Sequence, residues 1–546
     1  MDANEWQYRP EPDIAIPGGV GSVPSSRGAP RRGWEIVQTY VGSPESAGRE
    51  LHEDLQGGTA GVRLSLDTPD RASFAVALDG VDLATLPVEL AHGTLASARA
   101  LVEMATERGT PPGPLRLDLG IDPYGTLATT GAFVDGPADV ASFAARECGR
   151  GCRTYTLDDA VWHDAGADEA WCLALQLASG VQLLRDLDAL GLHSEAAFAQ
   201  VAFRCAMPGR FLLGIAKLRA QRRLWARIGE ACSVDATASQ TAAPAWREAT
   251  VRDPWVNILR TTTAAFAGIV GGAERVDTAP FAAGDEARRL ARNTQLVLRD
   301  EAHLGRVADP AGGSLALEAL TEALAHAAWS RFQDLEREGG IEAALRNGRV
   351  QREIAASRDR LVARVRTRKA PILGVSRYPS LTEDRLAPAA HPVRPVAAGP
   401  EIDPVRPVRL AEPYEALRER EPAPVYFATL GPLAEHTART GFGRELVEAG
   451  GLQCVVPDGV ETAAQNEAAY AASGARVAVI SAHDRRFAGE AVELANRLAG
   501  AGAAVWMLGK PGEHEATLRA AGVRDFLFLG GDALATLDAL WTEVQA

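Results

Sequence analysis

Cysteine is scarce in this 546-residue chain, which carries six, at positions 148, 152, 172, 205, 232 and 454. That density is far below that of a disulfide scaffold, and it leaves reduced, mostly structural thiols as the expectation. Cys148 and Cys152 stand four apart in ARECGRGCRTY, but no second Cys or His pair stands at zinc-site spacing, so no metal site is expected. Long apolar runs are missing too. No stretch approaches about 18 consecutive apolar residues. The N-terminus, MDANEWQYRPEPD, is acidic and polar and shows no basic-then-apolar signal pattern. The chain therefore reads as cytoplasmic, with no membrane partner. Basic charge is in deficit: 57 Lys and Arg face 71 Asp and Glu, a formal net charge of −14. Such a field repels phosphate backbones, which argues against a nucleic-acid partner.

What remains is ordinary globular composition, with 46% hydrophobic and 23% charged residues, enough to bury a sizeable core. The length is too great for one compact core, and two domains, one of them large, are expected. From residue 33 onward, short β-like runs alternate with longer stretches of helical periodicity. The candidate strands are 33–41, 61–67, 86–92, 115–121, 152–158, 197–205, 234–240 and 274–282. Alternating β and α implies a parallel sheet, and eight units imply a closed (β/α)8 TIM barrel. Helical periodicity then dominates 285–304, 314–339 and 341–367, helices expected to pack outside the barrel.

Residues 1–32 read as an N-terminal extension, 33–378 as the barrel with its extra helices and 379–423 as a Pro-rich, extended linker. From Pro424 the βα rhythm restarts in shorter units, with strands at 424–430, 452–457, 476–482, 503–509 and 525–531. Five parallel strands in about 120 residues describe a flavodoxin-like, doubly wound domain over 424–546, in which ligands bind beyond the strand C-termini. ATLGPLAEHTARTGFG (428–443) lies there and contains His436.

The segments RDPWVNILRTTTAAFAGIVGGAERV (252–276), ARRLARNTQLVLRDEAHLGRVADPAGGS (287–314) and APILGVSRYP (370–379) closely resemble the methylmalonyl-CoA mutase family of adenosylcobalamin-dependent isomerases. AKLRAQRRLW (216–225) and RRGWEIVQ (31–38) support the same resemblance. It implies an N-terminal barrel through which a catalytic member threads acyl-CoA, joined to a C-terminal cobalamin domain. The implied chemistry is a radical rearrangement interconverting methylmalonyl-CoA and succinyl-CoA, a step of propionate metabolism, with the cofactor supplying the radical.

Catalytic members of that family carry D-x-H-x-x-G after the first strand of the cobalamin domain, where the histidine ligates cobalt and the aspartate orients it. Counted from Gly431, those positions hold Leu433, Glu435 and Ala438. Sliding by one residue to recruit His436 puts Ala434 at the Asp position and Arg439 at the Gly position. The family's S-x-L and Gly-Gly signals read here as Ser481–Ala482–His483 and Gly509–Lys510. In the barrel, a CoA-contacting arginine and a tyrosine on the acyl group fall on Val37 and Thr39, while Tyr40 is one residue off and belongs on the other strand face. Glu35 stands at a threonine position, where its charge opposes a CoA phosphate, and Arg32 matches a CoA-contacting arginine. The catalytic histidine position falls on Val161, with His163 two residues later. IDPYGTLATTG (121–131) offers no arginine for the substrate carboxylate.

Arg288, Arg289, Arg292 and Arg306 read as a structural ion-pair network, Thr261–Thr263 and Gly271–Gly272 as helix packing and a C-cap, and the glycines of DPAGGS as turn residues. A family match combined with loss of the chemical residues resembles the small, or β, subunit of the family's heterodimeric members. The resemblance thus implies no catalytic residue and no bound cofactor in this chain, and a homologous large catalytic subunit as partner, in which adenosylcobalamin resides. Two other readings are a self-sufficient mutase of altered specificity using His436, and a CoA-binding barrel without chemistry using Arg32.

Overall fold

Eight strands close on one another through parallel ladders. In the computed structural model, which describes residues 33–109, 115–383, 385–397 and 399–546, they are β1 (Glu35–Gly42), β2 (Gly61–Leu66), β3 (Val88–Leu90), β4 (Leu117–Ile121), β5 (Cys152–Asp158), β6 (Val201–Met207), β7 (Ser239–Pro244) and β8 (Arg275–Asp277). They pair in chain order, and β1 returns to β8 with Glu35 opposite Arg275. A barrel strand is covered on both sides, by helices outside and by side chains in the lumen, so β2 and β6 are buried along their whole length. Alternation still operates: Val62, Leu64 and Leu66 of β2 and Val201, Phe203, Cys205 and Met207 of β6 enter the hydrophobic core, whereas Arg63 and Arg204 between them do not. Between β3 and β4 the backbones almost touch. A Cβ on Gly120 (φ +69°) would lie 1.9 Å from the Leu90 carbonyl oxygen, so only glycine serves there.

β7 lies some five residues beyond the expected 234–240. Its sequence, SQTAAP, carries little of the β-branched and aromatic character that marks a strand. Its small side chains instead admit a helix, since a Cβ on Gly268 would lie 2.6 Å from that of Ala242. The expected helix at 314–339 is Leu315–Arg337, packed against helices Glu169–Asp188 and Phe211–Ala231. The expected helix at 341–367 is two, Gly340–Arg346 and Arg349–Arg366, because Gly348 adopts φ +75° and breaks the run. The one expected at 285–304 ends at Leu296 and continues as a π-turn, Val297–Glu301.

Residues 379–423 are not a single linker. Ala387–Val408 belongs to the barrel unit, together with the described residues up to Ala249 and Asn257–Arg358. An extended, proline-rich chain has no internal hydrogen bonds, so its backbone N–H groups bond outward. Val393 N donates to Ser65 Oγ (3.2 Å), Ile402 N to Gly131 O (3.0 Å), Val405 N to Ala128 O (2.8 Å) and Val408 N to Asp164 O (2.8 Å). These acceptors lie at the C-terminal end of β2 or in the loops and short helices that follow β4 and β5, so the segment straps the barrel mouth.

The second unit comprises Thr250–Val256, Asp359–Leu386 and Arg409–Ala546. Its helix Glu412–Leu417, which the linker reading did not foresee, buries Tyr414 and Leu417 in the unit's own core. The sheet has strands β9 (Pro424–Thr429), β10 (Gln453–Val455), β11 (Val477–Ser481), β12 (Ala504–Leu508) and β13 (Val523–Leu527), all parallel and ordered β10-β9-β11-β12-β13. That is the flavodoxin-like order. Period-two alternation splits its core in two: Val425, Phe427, Val477 and Val479 on one face, Tyr426, Ala428, Ala478 and Ile480 on the other.

Candidate functional site

In a TIM barrel, function belongs at the C-terminal mouth and the side chains beneath it. Here the lumen holds charge. Arg63 of β2, Glu89 of β3, Asp118 of β4, Asp158 of β5, Arg204 of β6 and Arg275 and Asp277 of β8 are each less than 9% exposed. Arg63 Nε lies 2.9 Å from Glu89 Oε1, and its Nη2 lies 3.5 Å from Asp158. Arg204 pairs with Asp277 at 2.5 Å and reaches Glu89 (3.7 Å) and Asp158 (3.9 Å). Arg275 pairs with Asp118, which Arg153 also approaches at 3.3 Å. Burial alone would raise the Asp118 carboxyl, and Arg275 with Arg153 more than offset it and hold the group low. Burial likewise opposes the Arg204 charge, yet Asp277, Glu89 and Asp158 keep its affinity for the proton high.

Thr39 belongs to this lining, its hydroxyl donating to Asp277 Oδ2 at 2.7 Å. Tyr40 faces the other way, as strand alternation requires, and its hydroxyl donates to Asp54 (3.3 Å). Burial and the Asp54 charge push that phenol far up. Asp54 in turn binds Arg288 Nε at 2.8 Å and Arg292, which makes those arginines the structural network that their sequence setting suggests. Arg289 pairs with Glu286 at 3.9 Å, and Arg306 is exposed. Glu35 pairs with Arg116 at 2.6 Å.

Under the strap a small cavity remains, about 20 Å3, room for a water molecule but far below the 300–1,000 Å3 or so of ordinary ligand pockets. Arg63, His92, Asp122, Asp158 and Val161 line it, together with Arg394 and Pro395 of the strap. Val161 thus stands at the position facing the cavity, with no group to give or take a proton. His163 is fully buried outside this lining. Its Nε2 lies 3.2 Å from Glu169 and its Nδ1 3.5 Å from Asp164. Burial and Arg247 lower its basicity, and Glu169 and Asp164 more than restore it. Glu169 and Asp159 are held in turn by Lys217 Nζ at 2.7 and 2.6 Å. This histidine is a member of a closed ionic core. Arg32 lies outside the described residues.

Asp122 caps helix Pro123–Thr130 through Gly125 N (2.8 Å). Burial, with the Asp158 charge adding to it, pushes its carboxyl up to about 7. The folded state therefore binds the proton more tightly than the unfolded chain, and stability contributed here falls as pH rises from about 4 to 7. Asp122→Asn keeps the cap and removes the titration. Its stability advantage over the parent is expected to be greater by about 3 kcal/mol at pH 8 than at pH 5, as read by hydrogen exchange of barrel amides. Equal differences at the two pH values would refute this.

In the second unit, Gly431 (φ +81°) turns the chain from β9 into helix Leu433–Ala449. Leu433 is 70% exposed, and Ala438 is exposed too. Glu435, at the ligand position, is held by Arg485 and by Arg486 Nε at 2.9 Å, and those hydrogen bonds, Arg486 first, lower its carboxyl. His436 is buried, its Nδ1 3.2 Å from Thr440 Oγ1, which lies 2.9 Å from Ser481 Oγ. Burial lowers its basicity. Among the described residues no carboxylate hydrogen-bonds the ring. Arg439 spans the strand ends, donating to the carbonyl oxygens of Ala482 and Leu508 (3.4 Å) and to Asp484 (2.6 Å), with its guanidinium over Phe487. A Cβ on Gly509 would meet Arg439 at 3.1 Å, and one on Gly431 would meet Arg486 at 2.6 Å. These residues do not fit a cobalt-ligating site with a nucleotide tail beside it.

The bridging role of Arg439, the charged lumen and the strap escaped the sequence reading. The lumen had a signal: Arg63, Glu89, Asp118 and Arg204 each interrupt an otherwise apolar strand.

A closed parallel barrel followed by a flavodoxin-like domain, with ligand positions in both held by structural ion pairs, defines a two-domain α/β protein of the acyl-CoA mutase architecture. The profile of the methylmalonyl-CoA mutase family matches residues 71–399, and the chain belongs to that family. It is 40% identical to the methylmalonyl-CoA mutase small subunit of Streptomyces virginiae, over 96% of this chain and 88% of that protein. It is 32% identical to the small subunit from Propionibacterium freudenreichii subsp. shermanii, over 97% and 87%. With the methylmalonyl-CoA mutase of Rhizobium meliloti (strain 1021) it shares 32% identity over 44% of this chain and 35% of that one.

Proposed function

We propose that this chain is the non-catalytic small subunit of a methylmalonyl-CoA mutase, a cytoplasmic protein that pairs with a homologous large chain holding adenosylcobalamin and the acyl-CoA. The observation that carries this reading is the lumen: where a catalytic member passes the acyl-CoA, Arg63, Glu89, Arg204, Asp277 and their partners pack against one another. Threading a substrate there requires separating buried charges, at several kcal/mol for each one left unpaired. The names of the relatives matched over most of their length support the same reading. So do Val161 at the mouth and His436 without a carboxylate orienter. Among the described residues no helix is long and apolar enough to cross a membrane.

Adenosylcobalamin titrated into the purified chain is expected to keep its free spectrum, and methylmalonyl-CoA to give no heat in calorimetry. A stoichiometric shift to a base-off, histidine-ligated spectrum that His436→Ala abolishes would instead establish a self-sufficient enzyme. Co-expression with the longer homologue from the same genome is expected to give a heterodimer that stays together at micromolar concentration.

A further inference from the structure

Helix Val256–Gly271 closes the barrel between β7 and β8, and its outer face is unlike that of its neighbours. Helix Asp285–Leu296, DEARRLARNTQL, carries five charged residues in twelve; VNILRTTTAAFAGIVG carries one in sixteen. That one, Arg260, is turned onto Asn257 Oδ1 at 2.9 Å. Leu259 is 58% exposed. Phe266, seven residues on, lies on the same side of the helix and is half-buried. The polar residues between them do not make the face polar. Thr262 and Thr263 return their hydroxyls to the carbonyl oxygens of Ile258 (2.7 Å) and Leu259 (2.8 Å), which satisfies the donors inside the helix.

The surface continues onto the start of helix Phe211–Ala231. Phe211 (41% exposed) makes an edge contact with Phe266, ring centroids 6.0 Å apart, and Leu212 beside it is 42% exposed. The two helices are locked together by small residues: a Cβ on Gly214 would lie 3.2 Å from that of Ala267, and one on Gly271 would lie 2.8 Å from Leu218. The sixteen-residue helix is about 24 Å long and about 10 Å wide, and with Phe211 and Leu212 at one end of the neighbouring helix the apolar area is roughly 300 Å2. That is within the range of the largest patches on soluble chains, and more than a third of the roughly 800 Å2 that each partner buries in a stable complex.

We infer that this two-helix face, centred on Leu259 and Phe266, is the apolar centre of the interface with the large subunit, an inference that rests on the small-subunit reading. The chemistry fits a folded, homologous chain. The face is near neutral, so it offers nothing to an anionic membrane. It is carried by two locked helices rather than by a groove, so it does not cradle a peptide. An apolar surface depleted in charge is the anatomy of the centre of a protein–protein interface.

The test uses the full chain with the longer homologue from the same organism. Leu259→Asp and, separately, Thr263→Glu are expected to weaken the heterodimer by about 30-fold or more in sedimentation equilibrium, with the melting temperature of the isolated chain unchanged. Thr263 is at the surface, so its substitution tests the face even if Leu259→Asp perturbs folding. If the parent binds and both variants bind as tightly, this interface assignment is wrong while the subunit reading stands. Should the parent not bind the homologue at all, both fail. Loss of self-association in the variants with the heterodimer intact would mark the face as a contact between copies of this chain and overturn the inference.

Discussion

Arg204→Ala is expected to destabilise the barrel by about 3–5 kcal/mol, the loss typical when one partner of a buried ion pair is removed. Arg204 lies in the middle of β6 and is 6% exposed. It neutralises Asp277 directly and lies within 4 Å of Glu89 and Asp158. Without it Asp277 keeps only the Thr39 hydroxyl among its partners named above, and Glu89 must share Arg63 and the more distant Arg275. The effect is read in hydrogen exchange of the β2 to β6 amides, which reports the barrel separately from the second unit and avoids assuming a single unfolding transition. Removing the charge from both partners, Arg204→Met with Asp277→Asn, is expected to lose less than the sum of the two single changes, because the double variant leaves no orphaned carboxylate. Strict additivity would mean that the lumen charges do not act as a unit.

Lys217→Met should be as damaging, with a change in pH dependence that identifies the cause. Lys217 is fully buried and its ammonium is shared by Asp159 and Glu169, with a third hydrogen bond to the Ala206 carbonyl oxygen at 2.9 Å. In the intact chain burial opposes the Glu169 charge, but Lys217 and His163 hold the carboxyl far below its usual range. A carboxyl depressed on folding contributes stability present above its unfolded pKa of about 4.3 and lost as pH falls below that toward the folded value. The methionine variant inverts this. Two buried carboxylates left with the His163 imidazole and the Arg247 guanidinium, 3.7 Å from Glu169, are pushed upward by burial, so the folded state binds protons the unfolded chain has released, and stability falls as pH rises above about 4. The expected result is a loss of about 3–5 kcal/mol near neutral pH that shrinks toward pH 5. A loss independent of pH would assign Lys217 a packing role only.

On the small-subunit reading proposed above, these ionic clusters are how a chain keeps a mutase architecture without the site. Val161 and Thr39, at positions that the family resemblance makes catalytic, are still pointed at the lumen or the mouth by the barrel, because strand alternation and loop position depend on the backbone and not on the residue carried there. What has changed is the filling. A lumen of mutually satisfied charges is a core, and Arg394 of the strap lines the small cavity above it.

The residues by themselves determined much of this. Eight apolar runs with helical intervals specify a closed parallel barrel, and five more specify a flavodoxin-like sheet, because period two and period 3.6 cannot be exchanged without exposing a core face. The same counting placed Tyr40 on the face of β1 away from Thr39, and its hydroxyl lies against Asp54. The strand shift at SQTAAP and the break at Gly348 were beyond such counting, since small residues and a positive φ are chosen by what packs against them. Only the tertiary structure decided that Arg63, Glu89, Arg204 and Asp277, up to 214 residues apart in the chain, neutralise one another, and that a proline-rich segment straps the mouth. Strand patterning records which face a side chain takes; it carries no record of which charge waits on the opposite wall, and that pairing separates a filled barrel from an open one.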